Sequence, residues 1–221
     1  WRAMKKRVGF WYAHGAVSFS LKIATFLTDR IFSSTKEGFR VKTTKLNIVG
    51  QGIDTDLFKP KEKERSPELK LVTVGRISQS KNIETLIRAC GILEKKNIKF
   101  SFKIIGPALT KADIEYQENL HALASDLGVQ ESIEWTGSVS QTELPVFLQN
   151  ADIFIHDGAT NSLDKTLIEA SLCGCIVVSS NSAFVAKITQ FSTSTVFKQK
   201  SETTLASILI KINDNPKEYR K

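Results

Sequence analysis

Two segments of the 221-residue sequence place charged and small residues at spacings that suit anionic ligands. In Val74-Gly75-Arg76-Ile77-Ser78-Gln79-Ser80-Lys81 a glycine closes an apolar run, and two cations five residues apart follow it. Glycine lets backbone approach a ligand closely, an arginine forks onto two phosphate oxygens, and a lysine acts as a point charge. The arrangement suits a diphosphate, with each charge-assisted bond contributing roughly 1.5 to 3 kcal/mol. Two solvated surface cations would give the same letters. The second segment, Asn161-Ser162-Leu163-Asp164-Lys165-Thr166-Leu167-Ile168-Glu169, opens a helix after an apolar run and sets Glu169 more than a turn inside it. A carboxylate there can accept from two neighbouring ribose hydroxyls while the first-turn N–H groups face phosphate. Standing alone, this segment would read as an ordinary surface helix. A lone histidine in Tyr12-Ala13-His14-Gly15 completes the set, although a histidine after aromatics is more often a packed core residue.

Such segments need a scaffold that brings loop ends to one place. Apolar, β-branched runs at Leu71 to Val74, Phe102 to Ile105, Ile133 to Trp135, Ile153 to Ile155, Ile176 to Val178 and Thr195 to Phe197 read as strands. Helical patterns follow at Asn82 to Lys95, Ala112 to Leu127, Thr142 to Gln149, Lys165 to Leu172, Ala183 to Thr189 and Glu202 to Ile212. The alternation predicts an α/β fold, a Rossmann-like parallel sheet with helices on both faces. Ligands of such sheets sit beyond the carboxyl ends of the strands. That directs attention to Gly75 to Lys81, Gly106-Pro107, Gly137-Ser138, His156 to Lys165 and Ser179 to Ser182. Earlier in the chain, Phe19, Ile23, Phe26, Leu27 and Ile31 predict one amphipathic helix face across residues 16 to 31. Ser34-Thr35-Lys36-Glu37 has the form of a capping box opening a short second helix, and Leu46 to Val49 is the only strand read in this part. Gly50-Gln51-Gly52 suits a bend, and the charged run Lys59 to Lys70 an exposed connection.

With 41% hydrophobic residues the chain can bury one large core or two smaller ones. The net charge of +8 is concentrated in residues 1 to 48, where ten basic side chains meet only Asp29 and Glu37; the remainder balances. A basic segment beside Trp1, Phe10, Trp11 and Tyr12 suits anionic lipid headgroups or an acidic acceptor, and a solvated basic face serves equally. No nucleic-acid module signature accompanies it, so no nucleic-acid partner is expected. Val8 to Leu27 is broken by His14, Lys22 and serines and falls short of a membrane span. Cys90, Cys173 and Cys175 read as reduced, buried thiols, and the CxC spacing lacks partner ligands for a metal.

Together these segments resemble the GT-B family of retaining glycosyltransferases called family 4 or group 1. The resemblance covers nearly the whole chain. It rests on the Gly75-Arg76…Lys81 loop, Phe102-Lys103-Ile104-Ile105-Gly106, Trp135-Thr136-Gly137 followed by Glu143-Leu144-Pro145, Ala151-Asp152-Ile153-Phe154-Ile155, and Glu169-Ala170…Cys173-Gly174…Val177-Val178. It implies that Arg76 and Lys81 bind a donor diphosphate, that Glu169 holds the ribose, and that Gly137 and Ser138 meet the base. Gly75, Gly106 and the first helical turn with Thr166 and Leu167 complete the donor site. His14 resembles a histidine that reaches the donor sugar. Where the family usually has a second glutamate, eight positions before Glu169, this sequence has Asn161. An amide cannot supply negative charge there, so Asp164 or Lys165 is expected to take over sugar contacts. Asp54-Thr55-Asp56 mimics a metal-binding DxD, but its surroundings resemble the interdomain linker of the GT-B family, and neither metal nor cofactor is expected.

The resulting expectation is a metal-independent transfer of a sugar from a nucleotide-diphosphate donor to a glycan or lipid-linked acceptor. Residues 1–48 would be the end of an acceptor-side domain, 49–68 a linker and 69–221 the nucleotide-sugar-binding domain. A GT-B sugar-nucleotide epimerase and a non-catalytic nucleotide-sugar-binding partner remain open alternatives. A cytoplasmic location follows from the thiols, with peripheral membrane contact through residues 1–48. The chain opens at Trp1 with its only methionine at Met4. It is therefore expected to be a piece of a longer polypeptide that binds nucleotide but does not transfer sugar by itself.

Overall fold

The computed structural model describes residues 2–62, 66–158, 163–184 and 195–219. Its larger unit is a five-stranded, wholly parallel sheet of β4 (Leu69–Val74), β5 (Phe100–Ile105), β6 (Ile133–Gly137), β7 (Ile153–His156) and β8 (Ile176–Ser179). The strands lie in the order β6-β5-β4-β7-β8. The chain therefore starts in the middle, steps outward twice on one side, and crosses back to step outward on the other.

Helices α2 (Ile83–Lys95), α3 (Lys111–Asp126) and α6 (Glu202–Asp214) cover one face of this sheet; α4 (Leu144–Asn150) and α5 (Lys165–Leu172) cover the other. Strand side chains alternate between the two. Leu71, Phe102, Ile104, Ile153 and Ile155 point to the first core, while Val72, Ile105, Phe154 and Val177 point to the second. This is the architecture that the alternating strand and helix patterns predict. Beyond the strands the hydrogen bonding continues: the Gly75 amide donates to Ile105 O at 2.9 Å, the Gly106 amide to Gly137 O at 2.8 Å and the Ile77 amide to Pro107 O at 2.9 Å. The loop bases are thus tied together.

A second, three-stranded parallel sheet is formed by β1 (Gly9–Trp11), β2 (Arg30–Ser33) and β3 (Leu46–Ile48), with α1 (Phe19–Leu27) linking the first two. Here the sequence expectations need correction. The predicted helix over residues 16 to 31 is shorter, because extended backbone at Thr28 (φ −97°, ψ 146°) ends it; Ile31 lies instead in β2, fully buried. Within α1 the buried residues are Leu21 and Thr25, whereas Phe19 and Phe26 are each 79% exposed. The predicted second helix at Ser34 to Glu37 is a turn. Thr35 Oγ1 does accept an amide three residues on, from Gly38 at 3.1 Å, but the chain then brings Phe39 into the core beside Leu21 and Ile31 rather than continuing a helix. The run Thr195 to Phe197 forms only an isolated bridge between Val196 and Ser179. The helix expected over Ala183 to Thr189 lies mostly outside the described residues.

Between the sheets, the Asp54 carboxylate accepts the amides of Asp56 and Leu57 in a tight turn, and Phe58 is buried completely in the second core of the larger unit. Gln149 donates to Lys59 O at 2.8 Å on the way back. The three cysteines are free and buried, and burial, helped by the charge of Glu169, pushes the Cys173 thiol up to about 11. Among the described residues no helix is long and apolar enough to cross a membrane.

One close approach depends on a missing side chain. Gly106 has φ +139°, and a β-carbon there would lie 2.1 Å from Gly75 O. Replacing Gly106 by alanine is expected to destabilise the chain by at least about 2 kcal/mol, because β4 and β5 ends would be forced apart. Urea unfolding measures this; a loss below about 0.5 kcal/mol would show that the loop bases yield freely.

Candidate functional site

In the large sheet the connection from β4 passes through α2 on one face, and that from β7 passes through α5 on the other. Their diverging loops leave a crevice at the carboxyl ends, the usual ligand position of open α/β sheets. A cleft of about 310 Å³ opens there, lined by Gly75, Arg76, Gly106, Ser138, Lys165 and Glu169, with Val74, Ile105, Pro107, Val139, Ser140, Gln141 and Leu144. Six of the residues picked out from the sequence therefore meet in one place.

Lys81 comes alongside Gly75 of this crevice from the β4 loop: its Cε would lie 3.1 Å from a β-carbon on that glycine. The turn Gln79–Lys81 is followed by Asn82 in a left-handed conformation (φ 44°), which asparagine tolerates better than most residues. Asn82 Nδ2 donates to Asp157 O at 2.9 Å, fastening this loop to the one after β7. Lys81 Nζ then lies 2.5 Å from Asp164 Oδ2. Asp164 caps α5: its Oδ1 accepts the Thr166 amide at 3.3 Å and the Thr166 hydroxyl at 3.0 Å. One carboxylate thereby joins the helix N-terminus to the lysine.

Each cation of the site has a carboxylate. Lys165 Nζ lies 3.1 Å from Glu169 Oε1 along the same helix, with Glu169 almost wholly buried. Arg76 is half exposed, with Nε 3.9 Å from Asp113 Oδ2. Hydrogen bonds from Thr110, more than Arg76, hold the Asp113 carboxyl below its usual value. For Asp164, burial works against the charged form, yet the hydrogen bond from His156 and the charge of Lys81 outweigh it and hold the carboxyl well below the ordinary range.

The remaining candidates divide. Gly137, at the end of β6, accepts the Gly106 amide beside the cleft. The Leu167 side chain is fully buried in the core below, and its amide donates to Asp164 O at 3.3 Å. His14 is exposed in the loop from β1 to α1, its ring edge-on to Tyr12 at 6.4 Å between centroids, whereas the cleft is lined only by residues from Val74 onward. Asn161 lies outside the described residues.

Sequence reasoning included His156, the last residue of β7, at the start of a segment to inspect but gave it no role of its own. Its side chain is 2% exposed, with Nε2 3.2 Å from Asp164 Oδ2 and Nδ1 3.3 Å from both the Gly158 amide and Ser179 Oγ. A β-carbon on Gly158 would lie 2.5 Å from this ring, so the loop is shaped around the imidazole. The available signal was a single polar residue ending a buried apolar strand, directly before Asp157-Gly158.

The depressed Asp164 pKa has a consequence for stability. A carboxylate whose folded pKa lies below its unfolded value, about 3.9, adds stability above that value and loses it as pH falls toward the folded pKa. The melting-temperature gap between wild type and Asp164→Asn should be widest above about pH 5 and narrow steadily below about pH 4. A constant gap from pH 7 to pH 3 would mean that charge on Asp164 does not stabilise the fold.

Comparisons with known proteins agree with this architecture. The family model of Glycosyl transferases group 1 matches residues 54–221. The chain is 27% identical over 177 residues to the amylovoran biosynthesis glycosyltransferase AmsK of Erwinia amylovora, covering 76% of this chain and 42% of that one. It is 27% identical over 176 residues to the GDP-mannose-dependent alpha-(1-6)-phosphatidylinositol monomannoside mannosyltransferase of Mycobacterium tuberculosis, covering 72% and 44%. The chain thus spans less than half the length of these curated relatives. Among solved structures, HepE of Anabaena in complex with UDP and glucose superposes with a TM-score of 0.83 at 15% identity, over 99% of this chain and 65% of that one. With the family model covering most of its length and the GT-B type of fold in place, the chain belongs to the glycosyl transferases group 1 family.

Proposed function

We propose that this chain supplies the donor side of a retaining, metal-independent glycosyltransferase that takes a sugar from a nucleoside diphosphate. The observation that carries this reading is that Arg76, Lys165 and Glu169 line one cleft at the strand-order reversal, with the Lys81 side chain beside Gly75 of that cleft and paired with Asp164, the cap of α5. Arg76 and Lys81 would hold the diphosphate and stabilise the negative charge that grows on it as the sugar bond breaks. Glu169, buried at the cleft wall, would accept from the ribose hydroxyls, and the Gly137-Ser138 turn would face the base. Asp164 and Lys165, and with them Asn161 and His14, would meet the sugar. Residues 69–221 form the donor-binding domain in this scheme, with 49–68 a linker and 1–48 part of an acceptor-side domain.

The acceptor class proposed is a glycan or a lipid-linked sugar, at a cytoplasmic location. Support comes from the relatives' own names: amylovoran and colanic acid biosynthesis, and transfer to phosphatidylinositol mannoside. The basic residues of the first 48 would suit contact with an anionic membrane surface.

Calorimetry with UDP and GDP tests the diphosphate clamp. Alanine at Arg76 or at Lys81 should weaken binding about tenfold to a hundredfold, as expected for one charge-assisted contact. Equal affinity in wild type and both variants would remove these residues from the site. Chelation should leave nucleotide binding unchanged, because Asp54 is committed to its own turn. A requirement for manganese or magnesium, restored on adding the ion back, would overturn the metal-independent reading.

A further inference from the structure

His156 takes no part in the contacts proposed above, yet every polar atom of its buried ring is engaged. An amide offers only a proton, so the hydrogen bond from Gly158 N to Nδ1 marks that nitrogen as an acceptor. Ser179 Oγ, which accepts the Asn181 amide at 3.0 Å, has its own proton free to donate to the same nitrogen. The network therefore assigns the ring proton to Nε2, which donates to Asp164 Oδ2. A directed chain runs from the end of β8 through β7 to the cap of α5, and ends on the Asp164 carboxylate, to which Lys81 Nζ also donates.

We propose that His156 is a positioning residue for diphosphate recognition: by donating to Asp164 it fixes the carboxylate that holds the Lys81 ammonium at the N-terminus of α5. This rests on the reading that Lys81 meets the donor diphosphate. An ammonium carries three N–H donors on a flexible stem. One is committed to Asp164, and two remain for phosphate oxygens. Lys81 keeps 22% of its side-chain surface exposed, so the side chain is still in contact with solvent. Ordering it in the folded protein removes a loss of freedom that would otherwise accompany binding. Asp164 can do this only if it is itself held. Its Oδ1 is fixed by Thr166, and His156, buried at the end of β7, supplies a rigid donor to Oδ2, the oxygen that the flexible lysine also contacts.

The test is calorimetry of the full chain with UDP, GDP and inorganic pyrophosphate. It compares wild type, Lys81→Ala, His156→Leu, His156→Gln and the Lys81→Ala/His156→Leu double variant. His156→Leu should weaken binding about tenfold, and His156→Gln, which keeps an N–H near the position of Nε2, should stay within about threefold of wild type. In the Lys81→Ala background His156→Leu should add nothing, because its influence passes through Lys81. Should His156→Leu not fold, His156→Asn makes the same comparison, since its amide is too short to reach Asp164. Nitrogen-15 NMR of wild type should show a neutral ring protonated on Nε2; protonation on Nδ1 overturns the proposal. Unchanged affinity in His156→Leu, or the same loss in both backgrounds, overturns it and leaves the reading of Lys81 intact. Full affinity in Lys81→Ala, or no nucleotide binding by wild type, removes that reading and this proposal with it.

Discussion

The reversal of strand order beside β4 governs the molecule's chemistry. Because α2 and α5 leave the sheet on opposite faces, their first turns part around a single crevice, and no side chain from either core needs to fill it. The same reversal concentrates positive charge: a helix end with partial positive charge, and the cations Arg76, Lys81 and Lys165. Unpaired, such a cluster would repel itself strongly in a partly buried setting. The chain answers with Asp113, Asp164 and Glu169, so that each cation has a carboxylate of its own. The crevice region is thus close to neutral but built of separable pairs.

The three pairs are not equivalent. Arg76 and Asp113 meet at long range with the arginine half exposed, a geometry that contributes little to stability and leaves the guanidinium free to turn. The pair on α5 has its lysine on the cleft wall and its glutamate almost wholly buried. Asp164 differs again, because two of its donors come from its own helix, one from the end of β7 and one from the β4 loop. Removing it would loosen the cap of α5 and the β4 loop together, whereas removing Asp113 would touch only Arg76 and the capping box of α3.

Most of the larger unit was legible in the sequence. Its strands are short apolar runs, β7 and β8 buried along their whole length, its longer helices carry periodic apolar stripes, and glycines close β4, β5 and β6. The candidate site residues were legible from the same pattern, since Gly75-Arg76 follows a strand end directly and Asp164 to Glu169 open the next helix after β7. What the sequence hid falls into two kinds. The strands β1 and β2 are only three and four residues long, and Ile31 fits a helical spacing as well as a strand, so local pattern could not decide. The contacts of His156 were hidden because its partners, Asp164 and Ser179, come from the cap of α5 and from β8; no spacing along one segment encodes that meeting.

The burial of Phe58 carries a mechanical consequence. Its ring lies wholly within the core beneath α4 and α5, and Ile53 and Leu57 pack partly against the same core. The connecting segment is therefore riveted to the larger sheet from Ile53 onward and cannot act as a slack tether. Any swing of the smaller sheet must be taken up by the backbone torsions between Val49 and Gly52, where Gly50 has φ +76° and a side chain would meet nothing within 4 Å. Torque applied to the smaller sheet would thus reach the larger one at Ile53, at the foot of the core that carries α4 and α5, with almost no elastic length in between.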